Sequence, residues 1–349
     1  MILIVAVLLL GVGIFFLSRP GWELIGSLYF KLRPTPKMQL VLQVQVQDAV
    51  KEEADLVVGS LQEELRKAQI DCTAVDRNDP TTIEQADTIR IDLKGVPAAR
   101  LGDLRGLISR SFPGWTLTPV SQTDYRLTPA AAELAVLTRD TVEQTLATIQ
   151  TRLRYLGVIG RAFLRSGSGT AAYEIVVQIA ARVDDPARLR EILITRARLE
   201  FTPVIDGPFR SREEALAKYG GGLPLASRFA PAVARGGQDG EKWYLLSRTP
   251  VITGRDLRST HASQDQIDRW QTSFTLSRDA AHRFARYTEA NVGSRLAIVL
   301  DEQVRSVPTI TSRVEDWGLI TGVATTHQEA HDLGLVLRSG SLPAGIVVL

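Results

Sequence analysis

The stretch TEANVGSRLAIVLDEQVRSVP, Thr288 to Pro308, contains the end of a helix, a strand and a turn. Ser277 can cap the preceding helix, and Gly293 stands where a left-handed C-terminal cap is expected. Leu296–Leu300 is an unbroken apolar run, which is typical of a strand buried on both faces. The polar residues Asp301–Gln303 then predict a turn that sends the chain back.

This stretch resembles a segment of the SecD family of protein-export subunits, whose first periplasmic domain carries a pattern close to ENVGxRLAIVLDGxVxSAP. Glu302 stands where the family usually has glycine, and Val307 where it usually has alanine. Glycine accepts a positive φ at lower cost, so Glu302 alters the expected chemistry of the hairpin turn. The matching positions to which we assign a structural role are Asn291, Gly293, Arg295, Asp301 and Pro308.

A second match lies in the sequence TVEQTLATIQTRLRYLGV, residues 141–158. It resembles the family's helix ending in IxNRVxxLGV and brings Arg152 and Gly157 into register with it. Near the end of the chain, GSLPA at 340–344 resembles the family's GALPA. The glycine-rich GLDLxGG motif that most members carry before the first periplasmic strand is absent, although the alternating residues 39–46 still predict that strand.

The chain has 349 residues, which allows two domains of ordinary size with well-filled cores. Its formal net charge is +2. Its 41 basic and 39 acidic residues are spread along the sequence, without the basic stripe that phosphate binding requires. Nucleic acid is therefore excluded as an expected partner. The lone Cys72 excludes an internal disulfide.

Met1–Leu17 contains no charged side chain and is long enough for a short membrane-spanning helix. The alternative is a signal-peptide core, but the basic start and the small-residue cleavage site of a signal peptide are missing. The first positive charges follow this segment, so the positive-inside rule places the bulk of the chain in the cytoplasm, whereas the resemblance implies the opposite. We therefore expect a short basic leader before Met1.

From residue 38 onward, strand and helix patterns occur twice in the order βαββαβ, the order of a ferredoxin-like fold. We expect an α+β protein: a ferredoxin-like periplasmic base with an inserted α+β head subdomain, preceded by one transmembrane helix. The expected parts are a transmembrane helix (1–20), a connector (21–37), a first (38–128) and a second (129–205) ferredoxin-like unit, a head (206–340) and a return strand to the base (341–349).

His327 and His331 lie four residues apart, which is zinc-ligand spacing on a helix. Glu329 lies two places after the first histidine, on the opposite side of the helix, and instead completes a capping box with Thr326. We therefore favour a solvated helix over a zinc site. Neither a GxSxG elbow nor a phosphate-binding GxxxxGK loop occurs, so we expect no enzyme and no catalytic, cofactor-binding or metal-binding residues.

The resemblance implies an accessory subunit of the Sec export machinery in the cell inner membrane, with most of the chain in the periplasm. It implies binding of an emerging unfolded preprotein, assistance to late translocation linked to the proton-motive force, and SecF and the SecYEG channel with SecA as partners. Hinges are expected at Asp206-Gly207 and Ser339-Gly340, where glycine can absorb a backbone change. Two alternatives are a single-span envelope scaffold without a translocation role and a metal-dependent hydrolase at His327 and His331.

Overall fold

The computed structural model of the chain describes residues 37–180, 183–220, 224, 227–232, 242–264, 270–321 and 326–349. Within these ranges no helix combines the length and the apolar character needed to cross a membrane. The predicted transmembrane helix (1–20) and nearly all of the predicted connector (21–37) lie outside the described residues.

One part of the molecule, here called the base, contains two four-stranded antiparallel sheets. The first has the strand order β17-β1-β7-β6 and the second the order β2-β3-β5-β4. Four helices, α1 to α4, pack with these sheets around a common apolar core. The strands are β1 (Met38–Val44), β2 (Ala74–Arg77), β3 (Ile91–Lys94), β4 (Trp115–Pro119), β5 (Tyr125–Pro129), β6 (Gly160–Leu164), β7 (Glu174–Ile179) and β17 (Ile346–Val348). The helices are α1 (Val46–Lys67), α2 (Leu101–Ser111), α3 (Ala131–Tyr155) and α4 (Pro186–Ile194).

The two predicted βαββαβ units exchange their first strands. Strand β1 pairs with β7 and β17, and β5 pairs with β3 and β4. Helix α1 has 22 residues and is therefore ~33 Å long at ~1.5 Å per residue, which carries the chain away from β1 before β2 begins. Only a short turn separates β4 from β5, so these two form a local hairpin. The prediction of two contiguous units, 38–128 and 129–205, is thus wrong in its strand pairing.

The other part, here called the head, contains a six-stranded and a three-stranded sheet. The six strands follow the order β10-β9-β15-β14-β8-β11, and β10 also pairs with the second half of β8, which closes the sheet into a ring. The small sheet has the order β12-β13-β16. The strands are β8 (Leu199–Phe209), β9 (Ser227–Ala232), β10 (Lys242–Ser247), β11 (Ile252–Thr253), β12 (Leu257–Gln264), β13 (Trp270–Leu276), β14 (Leu296–Leu300), β15 (Gln303–Ser306) and β16 (Trp317–Thr321). The helices are α5 (Arg212–Lys218), α6 (Arg278–Ala290) and α7 (His327–Ser339).

The stretch Thr288–Pro308 forms the centre of the head. Strand β14 is buried along its whole length between β8 and β15, as its unbroken apolar run predicts. Helix α6 begins after Ser277 and ends before Gly293, whose φ is +87°. Ser277 holds the N-cap position but makes no side-chain capping bond. The α+β class is therefore confirmed, and this stretch supplies the core strand of the head.

The head begins earlier in the sequence than predicted. Strand β8 starts at Leu199 and continues to Phe209, and its apolar residues belong to the head core. The loop predicted from Asp206 onward is wrong at its start, because β10 offers β8 a second partner after β14 ends. The glycine run 236–237 within the predicted loop lies outside the described residues.

Candidate functional site: the junction between base and head

The chain crosses between base and head twice, at residues 195–198 and 339–342. The two crossings lie side by side, since the backbone N–H of Leu342 donates a hydrogen bond of 2.9 Å to the carbonyl of Arg196. Any change in the orientation of the head relative to the base must pass through these two segments, which we call the junction. They join at one place, so the junction can act as a single pivot.

Arg152 in the last turn of α3 is buried at this junction. Its Nη1 donates to the carbonyls of Ile192 and Leu193, at 2.7 and 3.0 Å, and to the first crossing at the carbonyl of Thr195, at 2.7 Å. The second crossing is bound by Nε, which donates to Ser339 Oγ at 3.1 Å, and by Nη2, which donates to the Gly340 carbonyl at 3.1 Å. One side chain thus holds both crossings.

The surroundings of Arg152 explain how a buried cation is tolerated there. Three helices, α3, α4 and α7, end next to the guanidinium group, and helix C-termini carry partial negative charge. Burial nevertheless lowers the pKa of Arg152 to about 10, while the nearby Asp301 carboxylate acts in the opposite direction. The group remains charged at neutral pH, and its donors are satisfied by carbonyl oxygens and the Ser339 hydroxyl rather than by a direct ion pair among the described residues.

Asp301 connects the central head hairpin to the first crossing. Its carboxylate accepts a hydrogen bond of 2.8 Å from the Arg198 N–H, and its own N–H donates to the Arg198 carbonyl at 3.0 Å. Asp301 and Glu302 both have positive φ, at +51° and +66°, and form the two-residue turn between β14 and β15. These are the dihedral signs of a type I′ turn, in which glycine is favoured. The turn thus places Asp301 against the junction.

Ion pairs connect base and head on one side of the junction. Glu52 on α1 accepts from Arg198 Nη1 at 2.7 Å, and Arg198 Nε binds Glu200 on β8 at 2.8 Å. Burial raises the pKa of Glu52 above its ordinary value, although Arg198 and Arg196 pull in the opposite direction. Glu52, Arg196 and Arg198 line a cleft of about 440 Å³ between α1 and the head.

A second pair connects base and head through the helices α4 and α7. Arg188 forms a bidentate bond with Asp332, with both N–O distances at 2.8 Å. Burial acts to raise the pKa of Asp332, but the hydrogen bonds from Arg188 and Gln328 outweigh burial and hold the pKa below its ordinary value. The Arg338 guanidinium also lies over the Tyr155 ring, at 4.6 Å from the ring centroid. Charged contacts therefore support the head from two sides of the junction.

Of the sequence-predicted residues, the structure brings Arg152, Ser339 and Gly340 together and places Asp301 beside them. Gly340 has φ of +94°, a conformation that favours glycine. The other motif residues shape local structure elsewhere: Gly157 (φ +66°) follows α3, Asn291 Nδ2 donates to the Tyr287 carbonyl at 2.8 Å, Gly293 N donates to Ile310 O at 2.8 Å, Arg295 forms a β-bridge with Thr309, and the Pro308 carbonyl accepts from Leu296 N at 3.0 Å.

Asp206 and Gly207 lie inside β8, away from either crossing. Asp206 is opposite Leu245 of β10, where the register between the strands shifts. Hydrogen bonds from Lys218 and Tyr219 lower the pKa of Asp206 to about 2. A side chain at Gly207, which has φ of +111°, would meet the Trp243 carbonyl at 2.9 Å. The crossing expected at 206–207 is instead at 195–198, because β8 belongs to the head from its first residue.

The two histidines with zinc-ligand spacing lie in the first turns of α7. His327 packs edge-on against Trp270, with ring centroids 4.7 Å apart, and His331 Nδ1 lies 3.5 Å from Asp332 Oδ1. Across the described ranges, no three His, Cys, Asp or Glu side chains gather as a metal would require. Thr326 accepts a hydrogen bond from Glu329 N at 3.2 Å, which is half of the predicted capping box.

Sequence reasoning missed Glu52, Arg188 and Arg198. A signal for Arg198 does exist in TRARLE, residues 195–200, where a buried strand begins. Arginine alternates there with apolar or acidic residues, so a charged side chain stands directly beside a buried segment. For Glu52 and Arg188 no local signal exists, because each is an ordinary charged residue on an amphipathic helix.

Comparison of this sequence with known protein families and proteins identifies its relatives. Residues 230–344 match the family model of the SecDF P1 head subdomain. The chain is 32% identical over 310 residues to the protein translocase subunit SecD of Koribacter versatilis, which covers 89% of this chain and 56% of that protein. It is 38% identical over 213 residues to that of Aquifex aeolicus, which covers 61% of this chain and 39% of that protein.

A solved structure of SecDF, a membrane component that enhances protein export, aligns with a TM-score of 0.44 and 30% identity over 60% of this chain and 91% of the solved chain. The chain spans about half the length of the relatives it matches. Its head-domain match and the aligned SecD sequences confirm the resemblance first seen around Gly293, and this chain belongs to the SecD family.

Proposed function

We propose that this chain assists protein export by holding an emerging unfolded preprotein with its head and releasing it as the head swings about the junction. The observation that carries this proposal is the position of Arg152, which binds both crossings between base and head. A pivot of this kind supports a mechanical role without covalent chemistry. The translocation role of the SecD relatives agrees with it.

The swing requires that the contacts beside the pivot can break and form again. The Glu52–Arg198 and Arg188–Asp332 pairs are partly exposed, and exposed pairs contribute only ~0–1 kcal/mol each. Arg152, by contrast, is buried and binds both crossings, and in this proposal it keeps them together while the head swings. The junction therefore combines a persistent centre with weak contacts around it, as a hinge needs.

The setting of this activity is part of the same proposal. Met1–Leu17 serves as an anchor in the inner membrane, and the base and head work in the periplasm beside SecF and the SecYEG channel with SecA, in late translocation linked to the proton-motive force. The proposal also includes a ferredoxin-like fold for both base sheets. For the first sheet, the order β17-β1-β7-β6, with α3 before β6 and α4 after β7, supports that assignment.

Photocrosslinking of the full protein to a translocation-arrested preprotein tests the proposal. A photoreactive amino acid is placed in the head at His261 or Glu315, and in the base at Gln122 or Arg105 as matched controls, all of which are exposed. We expect adducts from the head positions and weaker or no adducts from the base. Absence of adducts at every head position would contradict capture and favour a scaffold.

A second arm tests the pivot. Arg152→Lys keeps the charge but cannot bind both crossings at once, whereas Arg154→Lys changes a neighbouring arginine outside the junction. We expect Arg152→Lys to slow the release of crosslinkable preprotein while Arg154→Lys leaves it unchanged. Equal release in both variants would remove the pivot from the mechanism.

A further inference from the structure

Strand β16 (Trp317–Thr321) forms one edge of the three-stranded head sheet and has β13 as its neighbour. The other edge strand, β12, exposes the charged Arg258 and the polar His261. Strand β16 contains no charged residue and no proline, and its pairing with β13 has no bulge. Charges, prolines and bulges are the usual protection of a sheet edge against an added strand, so β16 lacks this protection.

The register shows which backbone groups of β16 face outward. Leu276 N donates to Asp316 O at 2.7 Å, so these two residues form a hydrogen-bonded pair. Bonded and non-bonded pairs alternate along an antiparallel ladder, which makes 317, 319 and 321 the non-bonded positions. Their N–H and C=O groups point away from β13, and no partner for these groups lies among the residues that the structure describes.

The side chains of these residues add an apolar surface beside the open edge. Trp317 and Leu319 are 59% and 38% exposed, on the sheet face opposite the head core. The alternate residues fix the strand in place: Ile320 is buried in the core, and Gly318 lies so close to Phe274 that an added Cβ would come within 2.6 Å of the ring. The edge is thus anchored through 318 and 320 and presents 317 and 319 outward.

We propose that the outer edge of β16 binds an extended segment of an unfolded polypeptide as an additional strand; this rests on the proposed capture function. Main-chain hydrogen bonds recognise any sequence that can extend, which suits a binder of many unfolded chains. The exposed Trp317 and Leu319 add sequence-tolerant apolar contact with alternate residues of the added strand.

A second copy of this chain fits the edge less well. Pairing of two five-residue strands buries a few hundred Å², well below the ~1,200 Å² typical of specific, stable interfaces. A short edge also gives few hydrogen bonds, so an added strand can leave again, as release of a translocating chain requires.

The test compares Leu319→Pro with Leu319→Ala in the full-length protein in detergent. Proline removes an outward N–H that β13 does not use, and the preceding Gly318 tolerates the restriction that proline imposes. Alanine removes the same side chain but keeps the N–H. The probe is fluorescein-labelled, reduced and carboxymethylated α-lactalbumin, with binding followed by anisotropy. We expect Leu319→Pro to bind at least ~10-fold more weakly than Leu319→Ala.

A second measurement does not depend on the folding of the proline variant. A labelled Val/Thr peptide of ~10 residues is compared with the same peptide N-methylated at consecutive central residues, which blocks its main-chain donors on both edges. We expect the methylated peptide to lose binding to the unmodified chain. Equal binding of both peptides, or of both Leu319 variants, would overturn the inference.

The outcomes separate this inference from the proposed function. Probe binding that is insensitive to Leu319→Pro and to methylation would refute β16 as the site and leave capture by the head standing. No probe binding to the unmodified chain would refute both. Sedimentation that shows a dimer abolished by Leu319→Pro, without competition by the probe, would assign the edge to a second copy and overturn the proposal.

Discussion

Arg152 is a buried cation whose partners are carbonyl and hydroxyl oxygens from two chain segments, 192–195 and 339–340. Its replacement by alanine leaves several buried acceptors unpaired and an empty space at the junction. We expect Arg152→Ala to lower the free energy of unfolding by about 3–5 kcal/mol. Arg152→Lys should lower it by somewhat less, because lysine keeps the charge, but it still destabilises the chain because three donors on one nitrogen cannot reach both crossings. Urea unfolding of the full chain measures the change.

Arg154 provides the matched control for this prediction. It is partly exposed and donates to Thr151 Oγ1 at 3.2 Å, so Arg154→Ala should change the free energy of unfolding by about 0.5 kcal/mol or less. Similar losses at both positions would show that Arg152 contributes through helix α3 alone and that the junction does not depend on it.

Glu302 is the second residue whose role follows from backbone geometry. It has φ of +66° in the hairpin turn after β14, at the position where the family usually has glycine. We expect Glu302→Gly to raise the free energy of unfolding by about 0.5–1 kcal/mol, since relief of the left-handed strain exceeds the entropy lost by glycine. Thermal and urea unfolding would both detect a change of this size.

Asp301→Gly is the informative comparison at the same turn. Asp301 has φ of +51°, but its carboxylate also binds the Arg198 N–H at 2.8 Å. The gain from relieved strain is therefore offset by a lost hydrogen bond, and this variant should be neutral or less stable. If Asp301→Gly stabilised the chain as much as Glu302→Gly, the link between the turn and the junction would have no energetic weight.

The sequence predicts some of these residues and misses others for identifiable reasons. Arg152 was expected from its motif, yet its partners lie 40 to 188 positions away in the chain, beyond the reach of any local pattern. Gly340 is predicted to lie at a hinge from its GSLPA motif and because glycine can absorb a backbone change, and both signals are local in the sequence. Glu52 looks like any exposed helix residue, so its position beside Arg198 could not be predicted.

At the scale of elements, helix α5 is attached to strand β8 through Asp206. The carboxylate accepts hydrogen bonds from Lys218, from the Tyr219 hydroxyl at 2.7 Å and from the Gly207 N–H at 2.8 Å. The Lys218 and Tyr219 bonds lower the pKa of Asp206 to about 2, below its ordinary 3.8. A lowered carboxyl pKa contributes stability that is present above the unfolded-state pKa and is lost as the pH falls through the folded-state pKa.

We therefore expect the stability difference between the unmodified chain and Asp206→Asn to be constant above about pH 5 and to shrink between about pH 4 and about pH 2. Urea unfolding at a series of pH values measures it. Lys218→Met removes the main hydrogen-bond partner of Asp206. The stability difference between the unmodified chain and Lys218→Met should therefore also shrink, in part, over the same pH range. A difference that stayed constant down to pH 2 would mean that Asp206 does not hold α5 through its charge.

Elements were easier to predict than their pairing. The apolar run of β14 and the alternation of β1 identify both strands from local sequence, and both exist where expected. Their neighbours depend on chain paths: β1 pairs with β17 from the far end of the sequence, across almost the whole chain. The exchange of β1 and β5 between the two base sheets is a property of tertiary contacts that periodicity does not encode.

At the scale of the whole molecule, we expect the orientation of the head to depend on one buried centre, Arg152, and on ion pairs on two sides of it. Glu52–Arg198 and Arg188–Asp332 are partly exposed, so each is weak and is screened by salt. Removing both pairs should loosen the orientation without unfolding either part, because the apolar cores of base and head are separate from these charges.

The double variant Glu52→Gln, Asp332→Asn tests this expectation by single-molecule energy transfer between dyes at Gln122 in the base and Glu315 in the head, with Cys72 replaced by serine. The unmodified chain should give one narrow distribution at ~0.15 M salt, where the Debye length is ~8 Å, and a broader one at ~1 M, where it is ~3 Å. The double variant should be broad at both concentrations.

Arg152→Lys completes the comparison, because it weakens the pivot while keeping both ion pairs. It should broaden the distribution at low salt, whereas Arg154→Lys should match the unmodified chain. If the double variant stayed as narrow as the unmodified chain at both salt concentrations, the base and head would form one rigid body. The swing proposed for release of a preprotein would then have to be located outside this junction.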